Sequence, residues 1–518
     1  VMKHLLLLLF GLLALSFEAF ATGEPSTYFN IFVPPNNDAV QRNACLIVTA
    51  IYDSTQVTIQ DDGADGDTDD NWSGYLMAGQ SYILYIKDNG INDDALYASG
   101  GLLKRDGDYF IINASGLVLA SQATNSDWQH DWVPSVNKSS LGTKFIIYSP
   151  LITSSNRDLN VFAYSDTTTV TIRKISNSAN GNISTTTNVD YYSQNIVVQR
   201  TIHRGQDLIH FYQDCRNLML PGHTYVVESN KPVTVQYGAL WGNARDGGGY
   251  VPSSNGSSAG DLFYFAVPHD AAQEQEIRIV SWDDANQVIL ERYSAGNWIQ
   301  MNTWTLNDRQ PADWVGKQYA ATYATTFRVR CTAGKKVSVF EANWLETGAV
   351  GTSDIATMVS SSNGTSSGNE FLVYMAPPGK EINVVNPATG QFYGGNFTHI
   401  YLFAKDTAQV SVIDAKTGGS VINRTYTIPA GKYVDCFLSE TQWKSIYNGT
   451  GTAAGGPDRP YLLVTSDVGV SVMSTNFNDN WMMYFGSSME QAFKQTSTSS
   501  TNVAKPGDVI KVESQIDI

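Results

Sequence analysis

One strand pattern is written four times along the chain, and it limits the possible folds more than any other feature. Each copy is a hydrophobic strand that begins with an aromatic residue and ends on proline. The copies are FNIFVP (Phe29–Pro34), FIIYSP (Phe145–Pro150), FYFAVP (Phe263–Pro268) and FLVYMAP (Phe371–Pro377). They recur about every 110 to 120 residues, the size of a small domain and well above the period of a solenoid. The sequence therefore predicts four related units in a row, forming a rod or an arc.

Three further elements accompany the first strand in most units. A hairpin with an Asp-rich or Thr-rich turn appears as LIVTAIYDSTQVTI (Leu46–Ile59), NVFAYSDTTTVTI (Asn160–Ile172), RIVSWDDANQVIL (Arg278–Leu290) and YLFAKDTAQVSV (Tyr401–Val412). A glycine turn that leads into a strand appears as Ala78–Ile86, Arg204–Tyr212 and Ala430–Leu438, whereas Asn307–Val315 matches poorly. The closing strands are Gly116–Gln122, Lys231–Gly238, Lys335–Ala342 and Val468–Thr475. Short alternating strands separated by frequent turns are typical of a sandwich or a barrel.

The predicted fold is therefore all-β, a tandem array of about four β-sandwich-like repeats with very little helix. One short helix is expected in Ser439–Tyr447. The alternative is a β-propeller-like fold with two blades per repeat, since a single blade needs only about 40–50 residues. The predicted boundaries are a signal peptide at 1–21, repeats at 22–138, 139–256, 257–366 and 367–489, and a linker with the start of a further β domain at 490–518. Lys505–Val509 resembles the opening of the small β domains that form stalks on bacterial surface proteins.

The amino terminus has the features of a secretory signal peptide. A basic start at Lys3 precedes the apolar run Leu5–Leu15, and the small residues Ala19 and Ala21 flank a cleavage point. The apolar run is too short to span a bilayer, which takes about 20 residues. No later stretch is long enough to do so. We expect a secreted or cell-surface protein.

Charge and cysteine content narrow the function further. The net charge of −16 argues against nucleic-acid binding, because phosphates need basic patches. The four cysteines do not occupy corresponding positions in the repeats, which favours free thiols or one incidental disulfide over a framework. They are Cys45, Cys215, Cys331 and Cys436.

The strand, hairpin and turn motifs together resemble the amino-terminal region of IgG-Fc-binding protein. The residues that carry the resemblance are Ala50–Ile59, Ala78–Gln80 and Lys231–Val235, within a similarity that covers most of 25–489. It implies a secreted or surface module of the kind found in mucin-like animal proteins and large bacterial surface proteins. It assigns no binding residue to this chain.

An acidic loop in the first repeat is the sharpest local signal. Asp65, Asp67 and Asp69 have the alternate spacing of a calcium loop, with Asp61 and Asp62 just before them. Ca²⁺ accepts six to eight oxygen ligands. The twelfth position is Leu76 instead of glutamate, so the loop is not an EF-hand. Two interpretations fit: a turn stiffened by Ca²⁺, or a solvated acidic loop.

An aromatic residue with a nearby asparagine follows or ends the closing strand of every repeat. Such rings can stack on sugars, or they can seal the end of a unit by packing against its neighbour. The second interpretation is favoured because the aromatics recur at the same place. The candidate ligand-binding residues are Trp128, Trp241, Trp344 and Trp481.

Catalytic motifs do not stand out. The GxSxG pattern occurs around Ser258 and again around Ser366, in Ser/Gly-rich linkers that no predicted helix follows. The seven histidines show no metal-ligand spacing. The sequence favours a non-enzymatic surface or secreted module that binds an extracellular protein or glycan. The alternatives are a self-assembling filament or surface-layer subunit and, less favoured, a secreted carbohydrate-active enzyme.

Overall fold

The fold is built almost entirely of β-strands. The computed structural model describes residues 25–33, 44–61, 70–85, 103–104, 108–124, 130–132, 142–149, 158–175, 196–204, 208–210, 223–238, 249–250, 259–267, 273–316, 325–345, 357–359, 367–375, 379–381, 395–415, 418–446, 461–476 and 483–485. Within these ranges there is one α-helix, and none is long and apolar enough to cross a lipid bilayer. The all-β prediction is confirmed.

The strands fall into four sets, called units 1 to 4 in chain order. Unit 1 contains β1 (Ser26–Val33), β2 (Ala44–Ala50), β3 (Thr55–Asp61), β4 (Trp72–Leu76), β5 (Ser81–Tyr85), β6 (Leu103–Lys104), β7 (Asp108–Thr124) and β8 (His130–Trp132). Unit 2 contains β9 (Gly142–Ser149), β10 (Asp158–Ala163), β11 (Thr168–Lys174), β12 (Ile196–Ile202), β13 (Leu208–His210), β14 (His223–Gly238) and β15 (Gly249–Tyr250).

Units 3 and 4 follow the same plan. Unit 3 contains β16 (Leu262–Val267), β17 (Gln273–Ser281), β18 (Asn286–Ser294), β19 (Asn297–Leu306), β20 (Pro311–Gly316), β21 (Thr325–Cys331), β22 (Val337–Leu345) and β23 (Thr357–Val359). Unit 4 contains β24 (Ser367–Tyr374), β25 (Gly379–Glu381), β26 (Gly395–Ala404), β27 (Ala408–Asp414), β28 (Asn423–Ile428), β29 (Lys432–Asp435), β30 (Leu438–Ser439), α1 (Glu440–Ile446), β31 (Tyr461–Asn476) and β32 (Met483–Phe485).

Each unit is a sandwich of two antiparallel sheets. Unit 3 shows the plan most simply: sheet I has the order β16-β21-β18-β19, and sheet II has the order β20-β17-β22-β23. In the other units β21 and β22 are replaced by one long strand (β7, β14 or β31) that crosses from one sheet into the other. Because the two sheets of these three units share a strand, each of the three forms a sandwich or flattened barrel and not two separate propeller blades. In unit 3 the two sheets enclose one hydrophobic core, so that unit is also a sandwich.

The repeated first strand supplies the core of every unit. Its leading phenylalanine is 0 % exposed in all four copies, and burying such a side chain contributes about 1.5–3 kcal/mol. These residues are Phe29, Phe145, Phe263 and Phe371. The hairpins alternate as predicted, since β3 and β27 place every second residue in the core.

The short helix forms where the sequence predicts it. The Ser439 side chain accepts a hydrogen bond from the Gln442 amide at 3.3 Å, and Gln442 Oε1 accepts one from the Ser439 amide at 3.1 Å. This reciprocal pair is a capping box. Trp443 and Ile446 anchor α1 in the core of unit 4.

Two turns recur at one end of the units. The hairpin tip places Ser54, Thr167 or Ala285 in the left-handed region, with φ of 57°, 52° and 48°. The glycine turn places Gly79 and Gly431 there, with φ of 74° and 70°. In unit 3 that position is Arg309, with φ of 62°. The segment that matched poorly in sequence therefore forms the same turn.

The units contact one another in a closed cycle, which differs from the expected open row. Unit 1 meets unit 2 where β6 pairs with β13 as an added edge strand. Unit 2 meets unit 3 through a cluster that includes Ile146, Tyr148, Val280 and Phe340. Unit 3 meets unit 4 where Tyr264 stacks on Phe403, with ring centroids 5.7 Å apart.

The cycle closes between unit 4 and unit 1. Leu119 of β7 packs with Leu372 of β24 and Tyr461 of β31. The Thr49 hydroxyl is 2.9 Å from the Tyr461 hydroxyl, and this hydrogen-bonded contact is buried. Residues more than four hundred positions apart are therefore neighbours, and every unit has a unit packed on either side.

Candidate functional site

Each unit has two different ends. In unit 1, Val33 lies opposite Asp108, Ala44 opposite Thr124, and Asp61 opposite Phe110. β7 follows the β2–β3 hairpin and turns back on itself, since Ala50 lies opposite Val118 and Val57 opposite Ala114. These strand ends therefore lie together at one end of the unit, called the loop end. The opposite end, called the turn end, carries the hairpin tip and the glycine turn, and in unit 3 a third short turn, 332–335, lies beside the hairpin tip. Long connections on a rigid scaffold are common places for binding residues.

The predicted calcium segment belongs to the loop end of unit 1. Asp62, Asp65, Asp67 and Asp69 lie outside the described residues. The two aspartates at the base of the loop are buried: Asp61 is 4 % exposed and Asp70 is 2 % exposed. The Asp61 amide donates a hydrogen bond to Asn71 Oδ1 at 3.1 Å, which joins the two sides of the loop. The described residues contain no cluster of three metal-ligating side chains.

The predicted aromatic residues lie, in sequence, close to the described ends of the closing strands. Trp128, Trp241 and Trp481 lie just after the described ends of β7, β14 and β31, outside the described residues. The backbone of Trp344 lies near the end of β22, opposite Glu274 of β17. Ser258 and Ser366 of the GxSxG patterns lie outside the described residues.

The sequence interpretation missed the outer face of sheet I, which carries hydroxyl and amide groups in every unit. In unit 1, the Thr58 hydroxyl oxygen lies 3.4 Å from the Ser73 hydroxyl oxygen across the β3–β4 pair. In unit 2, Gln199 donates to the Thr171 hydroxyl at 3.2 Å. In unit 4, the Thr427 hydroxyl donates to Gln409 Oε1 at 2.8 Å. We call these surfaces the hairpin faces. The signal for them is the uncharged polar residue just before the alternating part of each hairpin strand: Gln56, Thr169, Gln287 and Gln409.

The hairpin faces end in edge strands that expose apolar side chains. Within the described residues, β4, β12, β19 and β28 each pair on one side only. The large exposed hydrophobic residues on or beside these strands are Tyr75, Met77, Ile196, Ile299 and Val421. Tyr75 is the most exposed, at 68 %. Edge strands of this kind are potential docking surfaces.

Two buried polar pairs lie away from the hairpin faces. His399 Nδ1 is 2.7 Å from Asp435 Oδ2, and their side chains are 0 % and 6 % exposed. Arg278 and Asp313 form a buried ion pair between β17 and β20. Burial raises the pKa of Asp313 to about 6, against the opposing effect of the Arg278 charge. Both pairs are inaccessible to a macromolecular ligand.

The two described cysteine side chains are free thiols. Burial raises the pKa of Cys331 to about 11 and also raises the pKa of Cys436. Both are therefore protonated near neutral pH, and a protonated thiol is a poor nucleophile and a poor metal ligand.

No known protein-family model and no curated protein matches the chain. Among solved structures, it is similar to an anti-sigma factor domain-containing protein, with 9% identity and a TM-score of 0.13 over 65% of this chain and 83% of that one. It is also similar to a tetra-tandem repeat in the extending region of a large adhesion protein, with 12% identity and a TM-score of 0.10 over 89% of this chain and 99% of that one. TM-scores this low carry no argument about function. The resemblance to IgG-Fc-binding protein stays a prediction.

Proposed function

We propose that the protein is an exported, non-enzymatic binding module that attaches to extracellular protein or glycan. The observation that carries the proposal is the repeated hairpin face: an uncharged hydroxyl or amide side chain, exposed or half-buried, at the equivalent positions Gln56, Thr169, Gln287 and Gln409, one in each unit. Such groups can donate and accept hydrogen bonds without requiring a charged partner. Repetition favours attachment over catalysis, because an enzyme needs one specialised constellation and an adhesin gains from several copies.

The closed cycle supports this function by fixing the hairpin faces relative to one another. Binding sites on a rigid frame lose less conformational entropy on binding than sites joined by flexible linkers. A surface that offers ligands at matching spacing is then bound with avidity well above the affinity of a single site.

The test is retention on arrays of extracellular matrix proteins and of glycans, with the protein that begins after Ala21. We expect retention on at least one surface that depends on protein density. A protein that stays unbound across both arrays contradicts the proposal. Export is tested separately by the amino-terminal sequence of the protein from culture medium, which should begin at residue 22.

A filament or surface-layer subunit is the second candidate, and the edge strands favour it. β4 and β19 contain neither proline nor a charged residue, and these are the usual devices that prevent edge-to-edge pairing. Light scattering after size exclusion, with electron microscopy, distinguishes the two. Concentration-dependent polymers favour the filament, and a monomer at all concentrations removes it.

A further inference from the structure

The hairpin face of unit 1 extends over four strands as two rows of uncharged side chains. One row runs Ser73, Thr58, Asn113 and Tyr28 across β4, β3, β7 and β1. The neighbouring row begins with Tyr75 opposite Gln56, whose amide donates to the Ser115 hydroxyl at 2.9 Å. Side chains on one sheet face align in this way because successive residues alternate between the faces.

The hairpin face of unit 1 differs from those of the other units in the charge of its side chains. In unit 2 the row equivalent to that of Thr58 contains Glu228 and Lys144. In unit 3 it contains Arg330, and in unit 4 it contains Glu370. Neither row of unit 1 contains a charged side chain. On a chain with a net charge of −16, this face has nothing to attract an ionic ligand.

Two tyrosines flank the polar groups. Tyr75 lies on the edge strand and is 68 % exposed, whereas Tyr28 lies three strands away and is half-buried. Strands are spaced by about 4.8 Å, so the face is about 14 Å wide, enough for two or three sugar rings. The positions equivalent to Tyr75 are Thr201, Thr305 and Thr427, so only unit 1 presents an aromatic ring there.

An aromatic contact on the inward face stabilises β4, the edge strand that carries Tyr75. Trp72 stacks on Tyr82 of β5 with ring centroids 3.7 Å apart. The same indole covers Gly74, where an added Cβ would lie 2.5 Å from the ring. An aromatic ring over a strand glycine stabilises an edge. Tyr75 is therefore presented from a fixed backbone, which reduces the entropy lost on binding.

We infer that the hairpin face of unit 1 binds an uncharged polysaccharide. The Tyr75 ring stacks on a sugar face, and Gln56, Thr58 and Ser73 exchange hydrogen bonds with the sugar hydroxyls. An aromatic body beside neutral donors and acceptors matches the alternating apolar faces and hydroxyl edges of a sugar ring. This inference rests on the proposed binding function and names the ligand class of one of its faces.

The test is affinity electrophoresis of the whole exported protein in gels that contain amylose, hydroxyethylcellulose, galactomannan or mannan, with alginate as the acidic comparison. We expect retardation by at least one neutral polymer and none by alginate. Tyr75→Ala should weaken the retardation at least tenfold, and Tyr75→Phe should retain most of it. Ile299→Ala, which removes an exposed apolar residue from the unit 3 edge, is the matched control and should change nothing.

Three results overturn the inference: no retardation by any neutral polymer, preference for alginate, or equal retardation of Tyr75→Ala and the wild type. Since Tyr75 is exposed, its substitution should leave the melting temperature unchanged, which shows that lost binding is not lost folding. If the protein is retained on protein arrays but not by neutral polysaccharides, the glycan inference fails and the binding function stands. If it is retained on nothing, both fail.

Discussion

One buried residue, Arg278, shows how a single position distinguishes the junctions between units. Its guanidinium pairs with Asp313 of its own unit, lies 4.0 Å above the Tyr148 ring of unit 2 and donates to the Thr224 hydroxyl at 2.9 Å. Three partners satisfy a charge that would otherwise be costly to bury. The equivalent positions in the other units are Ile47, Asn160 and Tyr401. Of these four positions, only that of unit 3 has a charged residue.

Removing one member of this pair should be strongly destabilising. Arg278→Met leaves the Asp313 carboxylate buried without its partner, so we expect a loss of about 3–5 kcal/mol in the free energy of unfolding. Urea denaturation of the single variant and of the double variant Arg278→Met/Asp313→Leu gives the comparison. The double variant should recover most of the loss. A single variant within 1 kcal/mol of wild type contradicts the burial of a necessary ion pair.

The Asp313 carboxyl should also make stability depend on pH. Its pKa is raised to about 6 in the folded protein, whereas an unfolded chain has about 3.9. The folded state therefore binds the proton more tightly. The contribution of Asp313 should be fully present below about pH 4 and lost as the pH rises through 6. The measurement is the difference in unfolding free energy between wild type and Asp313→Asn from pH 4 to 7.5. A difference that does not change with pH contradicts the raised pKa.

For single residues, the sequence predicts the burial of those that recur in every repeat and not the burial of those that occur in one unit only. The buried phenylalanine at the start of each first strand follows from the fourfold pattern. Arg278 does not, because an arginine at an outward strand position is ordinarily solvated. Only the neighbouring unit, which no local pattern describes, makes that position an interior one.

Among the elements, the turns contain a side-chain hydrogen bond that recurs in three units. In each of three units, an aspartate Oδ1 in the hairpin tip accepts a hydrogen bond from a backbone amide of the glycine turn or its equivalent. The pairs are Asp53 with the Ala78 amide at 2.9 Å, Asp166 with the Arg204 amide at 3.2 Å, and Asp284 with the Asp308 amide at 3.1 Å. In each case the hairpin tip holds the following turn. The sequence predicts the Asp-rich turns from their composition, but not their partners, which lie more than twenty residues away.

The left-handed turn positions permit a test of the strand framework. Ala285 has a φ of 48°, which costs a residue with a Cβ about 1–2 kcal/mol relative to ordinary backbone. Ala285→Gly should therefore raise the melting temperature. Ala333→Gly is the matched control: it is exposed in another turn of unit 3 without a positive φ, and the change should lower stability slightly. Equal effects of the two substitutions would contradict the assigned turn geometry.

The connection between β3 and β4 should bind calcium if its alternating carboxylates converge. Asp61 and Asp70, both buried, lie at its base. At a hundredfold excess over the dissociation constant, Ca²⁺ should stabilise the protein by about 2.7 kcal/mol. Calorimetric titration and thermal melting with and without chelator measure this. Asp67→Asn should abolish the effect, and Asp94→Asn, which removes a carboxylate outside the β3–β4 connection, should not. Melting curves that coincide with and without chelator identify the segment as a solvated acidic loop.

At the scale of the whole molecule, the contact cycle changes the expected unfolding behaviour. Units in an open row could unfold one at a time, whereas units with neighbours on both sides share their stability. We expect one calorimetric transition with equal calorimetric and van't Hoff enthalpies. The double variant Leu119→Ala/Tyr461→Ala removes contacts between units 4 and 1 and should split this transition. Two or more transitions in the wild type contradict a closed cycle.

The four units and their sandwich architecture are foreseeable from the sequence, and the closure is not. Periodicity identifies a strand and its buried face, but it does not show that outward apolar residues such as Ile146, Tyr264 and Leu372 meet a neighbouring unit. The hairpin faces were missed for the same reason, because exposure of a polar strand face depends on whether another unit covers it.

The seam between units 4 and 1 also sets an order of events during synthesis. Ile51 and Leu119 are translated early, while Leu372 and Tyr461, which cover them, are made hundreds of residues later. Until then the apolar surface formed by Ile51 and Leu119 is exposed on the nascent chain, where proteases can cleave the chain and other copies can bind to it. Export, as proposed above, would then require either a chaperone bound to that surface or folding delayed until unit 4 has been translated.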